Sequence, residues 1–282
     1  MEIRTVGVVG LGTMGAGIAQ VSVQAGYETI GREISAELGE RARATIERYV
    51  GRGVEKGRMT SADRDAALAR LSLTTDLDDL AECDLVIEAV LEELDLKREV
   101  FAELDRITRP NAVLATNTSA LSVREIAAAT TRPQRVVGMH FFNPAPVLPL
   151  VEVVRAPESA DDAVQAAYEW ARGAGKEPVI CNDTPGFIVN RILIPLLNDC
   201  VRVLDEADVR PEDVDRAMTN GAGWPLGPCA LLDLIGIDVH VHAAEALHAQ
   251  LGENRMAPPE RLLQMQKEGR LGRKTGRGFF DY

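Results

Sequence analysis

The first 25 residues constrain the fold more than any other stretch of this chain. An apolar, β-branched run over residues 3–9 precedes the pattern G-x-G-x-x-G at residues 10–15, and a proline-free helical pattern follows over residues 16–25. A strand, a glycine turn and a helix in this order predict a site for the pyrophosphate of a dinucleotide. The first glycine allows the tight turn, the second lets the backbone approach the phosphates, and the third lets the helix pack close to the strand.

The second predicted strand favours this interpretation over a purely structural glycine turn. Residues 27–31 predict a strand that is followed by Arg32 and Glu33. An acid at this place can accept hydrogen bonds from an adenosine ribose and repels a 2′-phosphate, which favours NAD over NADP. Arg32 weakens that preference, because an arginine there can accommodate the phosphate. The predicted cofactor residues here are Gly10, Gly12, Thr13, Met14, Gly15 and Glu33.

Composition and charge narrow the class of protein. The chain has 282 residues, of which 46% are hydrophobic and 26% charged, as in soluble globular proteins of two domains. No apolar run is long enough to span a membrane, and a net charge of −12 argues against nucleic acid as a main partner. The N-terminus leaves no room for a signal peptide, and the four cysteines form no C-x-x-C pair. We therefore expect buried, reduced thiols in a cytoplasmic protein.

The order of the predicted elements divides the chain in two. Strands alternate with helices up to residue 184, which predicts a Rossmann-type, doubly wound, mostly parallel α/β sheet. Beyond that point only helices are predicted, beginning with an apolar helix over 187–204 that Pro195 interrupts. We predict an NAD-binding domain over 1–184 and an all-helical domain over 185–282. The latter would contribute the substrate cleft and the dimer contacts.

Two helical segments lie between the second and third predicted strands. Residues 34–57 form either one long helix or a helical hairpin, with an apolar stripe along one side. Residues 61–71 predict a further helix, and Ser61 is its predicted cap.

His140 and Glu152 are the strongest catalytic candidates. In an open α/β sheet, ligands bind beyond the carboxyl ends of the strands, and His140 ends an apolar predicted strand. An imidazole there suits proton transfer near neutral pH, although a lone histidine can also be structural. Glu152 lies inside the adjacent apolar strand, where an unpaired carboxylate is costly. Pairing with His140 would fix the imidazole tautomer, and the alternative is an edge-strand glutamate facing water.

Ser119 and Asn190 have two interpretations each. Ser119 follows another predicted strand, so its hydroxyl can bond a substrate oxygen or cap the next helix. Asn190 begins an apolar helix and needs a partner, either a ligand or a neighbouring helix. His240, His242 and His248 do not predict a metal site, because His-x-His on a helix points to different sides and no further ligand completes a set.

Six segments together resemble the short-chain L-3-hydroxyacyl-CoA dehydrogenase family, in particular its bacterial 3-hydroxybutyryl-CoA members, over essentially the whole chain. They are GLGTMGAGIAQ (10–20), NTS (117–119), GMHFFNPAPV (138–147), TPGFIVNR (184–191), PLGP (225–228) and GRKTGRGF (272–279). The combination is specific, although no single segment is.

The resemblance implies a role for each of four residues. His140 would take the proton from the 3-hydroxyl, Glu152 would orient His140, Ser119 would bond the reacting oxygen and Asn190 would hold the substrate. For the cofactor it adds Glu92, Lys97, Ser119, Asn143 and Lys274. For the CoA group it implicates Lys56, in the helical segment after the second strand.

Three residues depart from the family pattern. Glu33 replaces the usual aspartate, Tyr49 stands where a small hydroxyl residue often contacts CoA, and Glu55 reduces the positive charge beside Lys56. No CoA role is therefore assigned to Tyr49.

The implied reaction is NAD(H)-dependent interconversion of an (S)-3-hydroxyacyl-CoA, 3-hydroxybutyryl-CoA first, and its 3-ketoacyl-CoA, in fatty acid β-oxidation or butanoate metabolism. One alternative is a dehydrogenase of a free 3-hydroxyacid such as L-gulonate, which would lack the helical segment over 34–57. The β-hydroxyacid dehydrogenases fit this sequence less well, because they use a lysine in place of the His–Glu pair. A non-catalytic NAD-binding protein would be expected to have lost His140 or Glu152.

The helical domain is rich in leucine for its size, which predicts a homodimer through this domain. The residues concerned are Leu193, Leu196, Leu197, Leu204, Leu231, Leu232 and Leu234.

Overall fold

The computed structural model describes residues 2–282, which divide into two compact units, one ending at Thr184 and the other running from Pro185 to Tyr282. The first unit contains one eight-stranded sheet. Its strands are β1 (Thr5–Val9), β2 (Glu28–Arg32), β3 (Leu71–Thr74), β4 (Leu85–Glu88), β5 (Val113–Thr116), β6 (Val136–Phe141), β7 (Leu150–Arg155) and β8 (Glu177–Asn182).

The sheet confirms the predicted doubly wound α/β class. Its strand order is β3-β2-β1-β4-β5-β6-β7-β8, with parallel pairing everywhere except between β6 and β7. The chain builds the sheet outward from β1 on one side and from β4 on the other, so the order switches between these two strands. Ligands of open α/β sheets bind in the crevice at such a switch point, beyond the carboxyl ends of the strands.

In the described part of the first unit, six α-helices flank the sheet: α1 (Thr13–Gln24), α2 (Ala36–Glu55), α3 (Ser61–Ala69), α4 (Leu94–Ile107), α5 (Val123–Ala127) and α6 (Asp161–Gly173). Of the two forms considered for residues 34–57, the structure has the single long helix, α2. The prediction that Ser61 caps α3 is wrong, because Thr60 is the cap. The Thr60 hydroxyl accepts the N–H of Asp63 while the Asp63 carboxylate accepts the N–H of Thr60, and this reciprocal pair needs the acid three residues after the cap.

The core of this unit lies where the helices cover the sheet. Every residue of β4, β5 and β6 is buried, as expected for strands with helices on both faces. On one side of the sheet, the buried Trp170 of α6 packs with its ring centroid 5.8 Å from that of Tyr27 and 6.3 Å from that of Phe141. These contacts place α6 against β6 and against the residue that precedes β2.

The second unit is helical, which confirms the prediction for the C-terminal part. Its helices are α7 (Val189–Glu206), α8 (Pro211–Gly221), α9 (Pro228–Ile235), α10 (Ile237–Leu251) and α11 (Glu260–Lys267). The predicted interruption at Pro195 is wrong, since α7 continues through this residue. Proline removes one backbone hydrogen bond, and here it is buried on the apolar face of α7, whose packing against α9 and α10 maintains the helix.

The cysteines follow the expectation in part. All four are free thiols, and Cys83, Cys200 and Cys229 are buried, but Cys181 is only half-buried because it lies on the edge strand β8. Burial raises the pKa of the Cys181 thiol to about 12, with the nearby Glu152 and Asp183 carboxylates acting in the same direction. Within residues 2–282, no helix combines the length and apolar character needed to cross a membrane.

Candidate active site

The glycine turn between β1 and α1 has the geometry that a phosphate-binding turn requires. Gly10 has a φ of +84°, which L side chains rarely adopt, and a Cβ on Gly15 would lie 1.7 Å from the Gly10 carbonyl oxygen. A Cβ on Gly12 would instead extend into open space, with no atom within 4 Å. Gly10 and Gly15 therefore shape the turn, and Gly12 keeps its outer side open for a ligand that approaches the backbone.

Glu33, just after β2, lies against this turn. One carboxylate oxygen accepts the Leu11 N–H at 2.8 Å and the other accepts the Ile34 N–H at 2.7 Å. Each oxygen keeps a further lone pair that can accept a ribose hydroxyl. The open glycine turn and this carboxylate, on neighbouring strands at the switch point, thus fit the phosphates and the adenosine of a dinucleotide.

His140 and Glu152 form a buried pair on β6 and β7. The antiparallel register places them directly opposite each other, and His140 Nδ1 lies 2.7 Å from Glu152 Oε2. Only 4% of His140 and 1% of Glu152 are exposed, so the alternative of a water-facing glutamate on an edge strand is wrong. A carboxylate on Nδ1 fixes the ring orientation and assigns proton exchange to Nε2. The Phe142 ring packs on the imidazole, with 4.4 Å between the ring centroids.

Asn117 connects the end of β5 to the strand that carries the histidine. Parallel pairing between β5 and β6 stops at Thr116 and Gly138. One residue further, Asn117 Oδ1 accepts the N–H of Phe141 at 2.9 Å, which extends the connection by a side chain. Asn117 therefore supports the backbone beside His140 where the regular ladder has ended.

Glu92 holds the loop that carries Ser119. Its Oε1 accepts the Thr118 hydroxyl at 2.5 Å, the Ser119 N–H at 2.7 Å and the Ala120 N–H at 3.0 Å. Capping does not account for Ser119, because the cap of α5 is Ser122, whose hydroxyl accepts the Glu125 N–H. Glu92 thus fixes the backbone that presents Ser119 at the carboxyl edge of the sheet.

An ion pair lies behind Glu92. Lys97 of α4 is 1% exposed and its ammonium contacts Glu88 Oε1 at 2.7 Å and Glu92 Oε2 at 3.4 Å. Burial acts to raise the pKa of Glu92, but Lys97 and the hydrogen bonds from Thr118, Ser119 and Ala120 outweigh it, so this pKa lies below its ordinary value. Glu92 is therefore a carboxylate at neutral pH.

Lys176 holds the proline-rich turn between β6 and β7 by hydrogen bonds to the backbone of that turn. The Lys176 ammonium is buried and donates to the carbonyl oxygens of Ala145, at 2.5 Å, and Leu148, at 3.1 Å. Burial lowers the pKa of Lys176. Asn143, the cofactor candidate in this segment, is exposed at the start of the turn. Lys176 therefore positions the loop that begins where β6, the strand of His140, ends.

The remaining candidates lie on other elements. Lys56 is exposed at the C-terminal end of α2. In the second unit, Asn190 is a half-buried residue in the first turn of α7, and the Lys274 ammonium pairs with the Asp238 carboxylate at 2.5 Å. The structure thus joins His140 with Glu152, and Glu92 with Lys97 and the Ser119 loop.

Glu88, Asn117 and Lys176 support the site in the structure but had no predicted role. Glu88 had a detectable pattern, since an acid that ends an all-apolar strand needs a partner and a lysine follows on the next helix. Asn117 was visible only as part of the NTS segment. Nothing in the sequence distinguishes Lys176 from a surface lysine, because its burial depends on the proline-rich turn folding over it.

An open glycine turn at the switch point of a doubly wound sheet, together with a buried histidine–carboxylate pair at the same sheet edge, defines a dinucleotide-dependent oxidoreductase. The family models for the 3-hydroxyacyl-CoA dehydrogenase NAD binding domain and C-terminal domain match residues 5–184 and 186–282. The chain belongs to the 3-hydroxyacyl-CoA dehydrogenase family, and its cofactor is NAD(H).

Individual relatives are similar to this chain over nearly the full length of both. The chain is 46% identical over 282 residues to a 3-hydroxybutyryl-CoA dehydrogenase of Mycobacterium tuberculosis, covering 99% of each chain. Its fold matches the crystal structure of M. tuberculosis FadB2 with a TM-score of 0.97 and 45% identity, covering 100% of both chains. It also matches the (S)-3-hydroxybutyryl-CoA dehydrogenase of Ralstonia eutropha with a TM-score of 0.96 and 40% identity, covering 100% of this chain and 99% of that one.

Proposed function

We propose that this enzyme interconverts (S)-3-hydroxybutyryl-CoA and acetoacetyl-CoA with NAD(H). The observation that carries the proposal is the His140–Glu152 pair, with 2.7 Å between Nδ1 and Oε2, at the edge of a sheet that has an NAD-binding turn. Oxidation of a secondary alcohol needs a base for the hydroxyl proton and an acceptor for the hydride. The chain supplies the base, and bound NAD supplies the hydride acceptor.

The proton chemistry is assigned to His140. During oxidation its Nε2 takes the proton of the 3-hydroxyl, and in the reverse direction it returns that proton to the forming alkoxide. The Glu152 carboxylate holds the opposite nitrogen and balances the positive charge that the ring gains. Ser119, on the loop fixed by Glu92, donates a hydrogen bond to the reacting oxygen and so stabilises negative charge there.

The binding roles follow from the fold and from membership of the family. We assign the phosphates of NAD to the turn formed by Gly10, Gly12, Thr13, Met14 and Gly15, and the adenosine ribose to Glu33. The other cofactor residues proposed are Glu92, Lys97, Ser119, Asn143 and Lys274. Lys97 is 1% exposed, so its part is to hold Glu92 rather than to present its own ammonium. Lys56 is proposed for CoA and Asn190 for the acyl group, and these two roles rest on the family resemblance.

An absorbance assay at the NADH band tests the reaction. The enzyme is given NADH with acetoacetyl-CoA, and in a matched reaction with free acetoacetate at the same concentration. We expect NADH consumption with the thioester and little with the free acid, and a preference for NADH over NADPH because Glu33 repels a 2′-phosphate. Absence of turnover with acetoacetyl-CoA would contradict the assignment, and faster turnover with the free acid would favour a hydroxyacid dehydrogenase.

We also propose a homodimer formed through the helical unit. Some of the leucines on which the dimer prediction was based are not on the surface. Leu197, Leu204 and Leu232 fill the core of that unit. On the surface of the same unit, the aliphatic side chains of Ile192, Leu234 and Val239 are more than half exposed. We expect sedimentation at twice the chain mass and dissociation by Ile192→Arg, whereas Leu38→Arg on α2 should have no effect. Sedimentation of the wild type as a monomer at micromolar concentration would refute the dimer.

The free thiols are consistent with a reducing compartment, and we propose the cytoplasm.

A further inference from the structure

Glu88 is a fully buried carboxylate at the centre of the cofactor edge. It ends β4, paired in register with Val9 of β1 on one side and Thr116 of β5 on the other. Its side chain has 0% exposure, so it cannot touch a bound ligand. Three donors surround it: the Lys97 ammonium at 2.7 Å, the Val90 N–H at 2.6 Å and the Thr116 hydroxyl at 2.7 Å. This donor set matches an ionised carboxylate.

Stability alone is a weak reason for such a pair. Removing two charges from water costs free energy. Replacing a buried ion pair by apolar residues of similar volume often leaves the stability of a protein unchanged or raises it. The pair also lies next to a third charge, since the Lys97 ammonium is 3.4 Å from Glu92 Oε2. Two carboxylates and one ammonium leave one net negative charge in this cluster. Because Glu92 is 32% exposed and Glu88 is not, that charge is presented to the site by Glu92.

The position of the cluster in the sheet relates this charge to one half of the cofactor. Glu33 at the end of β2 accepts the adenosine, so the nicotinamide half belongs on the other side of the switch point, toward β4, β5 and β6. Glu92 and the Ser119 loop lie on that side. The nicotinamide ring carries a positive charge when oxidised and none when reduced, so a fixed negative charge distinguishes the two forms.

We propose that Glu88 sets the redox preference of cofactor binding: by neutralising Lys97 it leaves Glu92 an uncompensated carboxylate, which favours NAD⁺ over NADH. Without Glu88, Lys97 would neutralise Glu92 instead. A residue that cannot reach the cofactor thus controls how strongly the site distinguishes its two forms. The inference rests on the proposed function for the placement of NAD(H), and it adds a positioning residue and a physical basis for cofactor selectivity.

The test measures two dissociation constants for each of four proteins at one pH and ionic strength. NADH binding is followed by its fluorescence and NAD⁺ binding by calorimetry, in the absence of substrate. For Glu88→Gln we expect Kd for NAD⁺ to rise about 5- to 10-fold more than Kd for NADH, as for the loss of one nearby charge. Glu92→Gln, which removes the same charge from a partly exposed position, should shift the ratio in the same direction.

Glu33→Gln is the matched control. It also removes one carboxylate from the cofactor edge, but on the adenosine side, so both dissociation constants should rise by the same factor. Equal changes for NAD⁺ and NADH in Glu88→Gln or Glu92→Gln, or a larger loss for NADH, would overturn the inference. If circular dichroism shows that Glu88→Gln is unfolded, Glu92→Gln decides. Wild type that binds neither form would instead contradict the proposed function.

Discussion

The two buried histidines of this chain have similar burial and different partners. His140 is 4% exposed and His240 is 3% exposed. His140 Nδ1 faces the Glu152 carboxylate at 2.7 Å, whereas His240 Nε2 faces the Asn198 side-chain oxygen at 2.9 Å. Asn198 in turn donates to the carbonyl oxygens of residues 255–257. A carboxylate can balance a charge that forms on the ring, and an amide cannot, so burial with a hydrogen bond does not by itself make a histidine catalytic.

Replacing each histidine should separate the two sites most clearly. We expect His140→Gln to lower kcat/KM by roughly 10²–10⁴-fold, the usual contribution of a positioned acid–base group. NADH affinity should stay within a few-fold, because the change removes proton transfer and leaves the glycine turn intact. His240→Gln, assayed well below its unfolding temperature, should retain nearly full activity. Similar losses in the two variants would show that the comparison is wrong.

Changing the partner of His140 tests whether charge or geometry matters. Glu152→Gln keeps a hydrogen-bond acceptor of the same size but cannot balance the imidazolium. We expect kcat to fall on the order of 10²-fold, less than for loss of the ring itself. Glu152→Asp keeps the charge at a longer distance and should recover part of the rate. Activity of Glu152→Gln near the wild-type level would leave Glu152 a purely structural role.

The pH dependence of stability should identify the histidine with the neutral partner. Burial lowers the pKa of His240 from 6.5 to about 4. Between these values the unfolded chain binds a proton that the folded chain does not, so the free energy of unfolding falls as the pH drops from about 6.5 to 4. The loss attributable to His240 reaches about 3 kcal/mol below pH 4.

Urea unfolding at a series of pH values and one protein concentration measures this effect. His240→Gln should lose less free energy of unfolding than the wild type over the same pH range. His242→Gln, in an exposed position on the same helix, should follow the wild-type curve. Parallel curves for wild type and His240→Gln would contradict the assignment.

The smallest expected effect concerns the ring that packs on His140. The centroid of the Phe142 ring lies 4.4 Å from that of the His140 ring, and this contact restricts the orientation of the imidazole. Phe142→Leu should lower kcat by about 3-fold, the size expected for loss of one aromatic contact. A loss as large as that in His140→Gln would mean that Phe142 has a more direct role.

Much of the site near His140 could be predicted because it depends on short-range connectivity. Two apolar strands joined by one turn tend to pair, so the glutamate inside the second strand was expected beside the histidine that ends the first. The direct register between them is what the structure adds. The cap of α3 was missed by one residue because Thr60 and Ser61 are both good caps, and only the reciprocal bonds with Asp63 distinguish them.

The cluster formed by Glu88, Lys97 and Glu92 was less predictable. The three residues come from the end of a strand, a loop and a helix, and their contacts depend on how α4 packs over the end of β4. The sequence identified Glu92 and Lys97 through family resemblance, but not the sharing of one lysine by two carboxylates. The same limitation applies to Lys176, whose ammonium meets two carbonyl groups of a turn that lies about 30 residues earlier in the chain.

By itself, the sequence determined the class of fold and the shape of the glycine turn. Only glycine tolerates the backbone of Gly10 and the closeness of Gly15 to it, and these local steric limits can be recognised in any chain that has the strand and the helix on either side. The tertiary structure decided which buried charges compensate each other. Electrostatic interaction depends on distance and on exclusion of water, and both arise only when the strands, helices and loops have packed together.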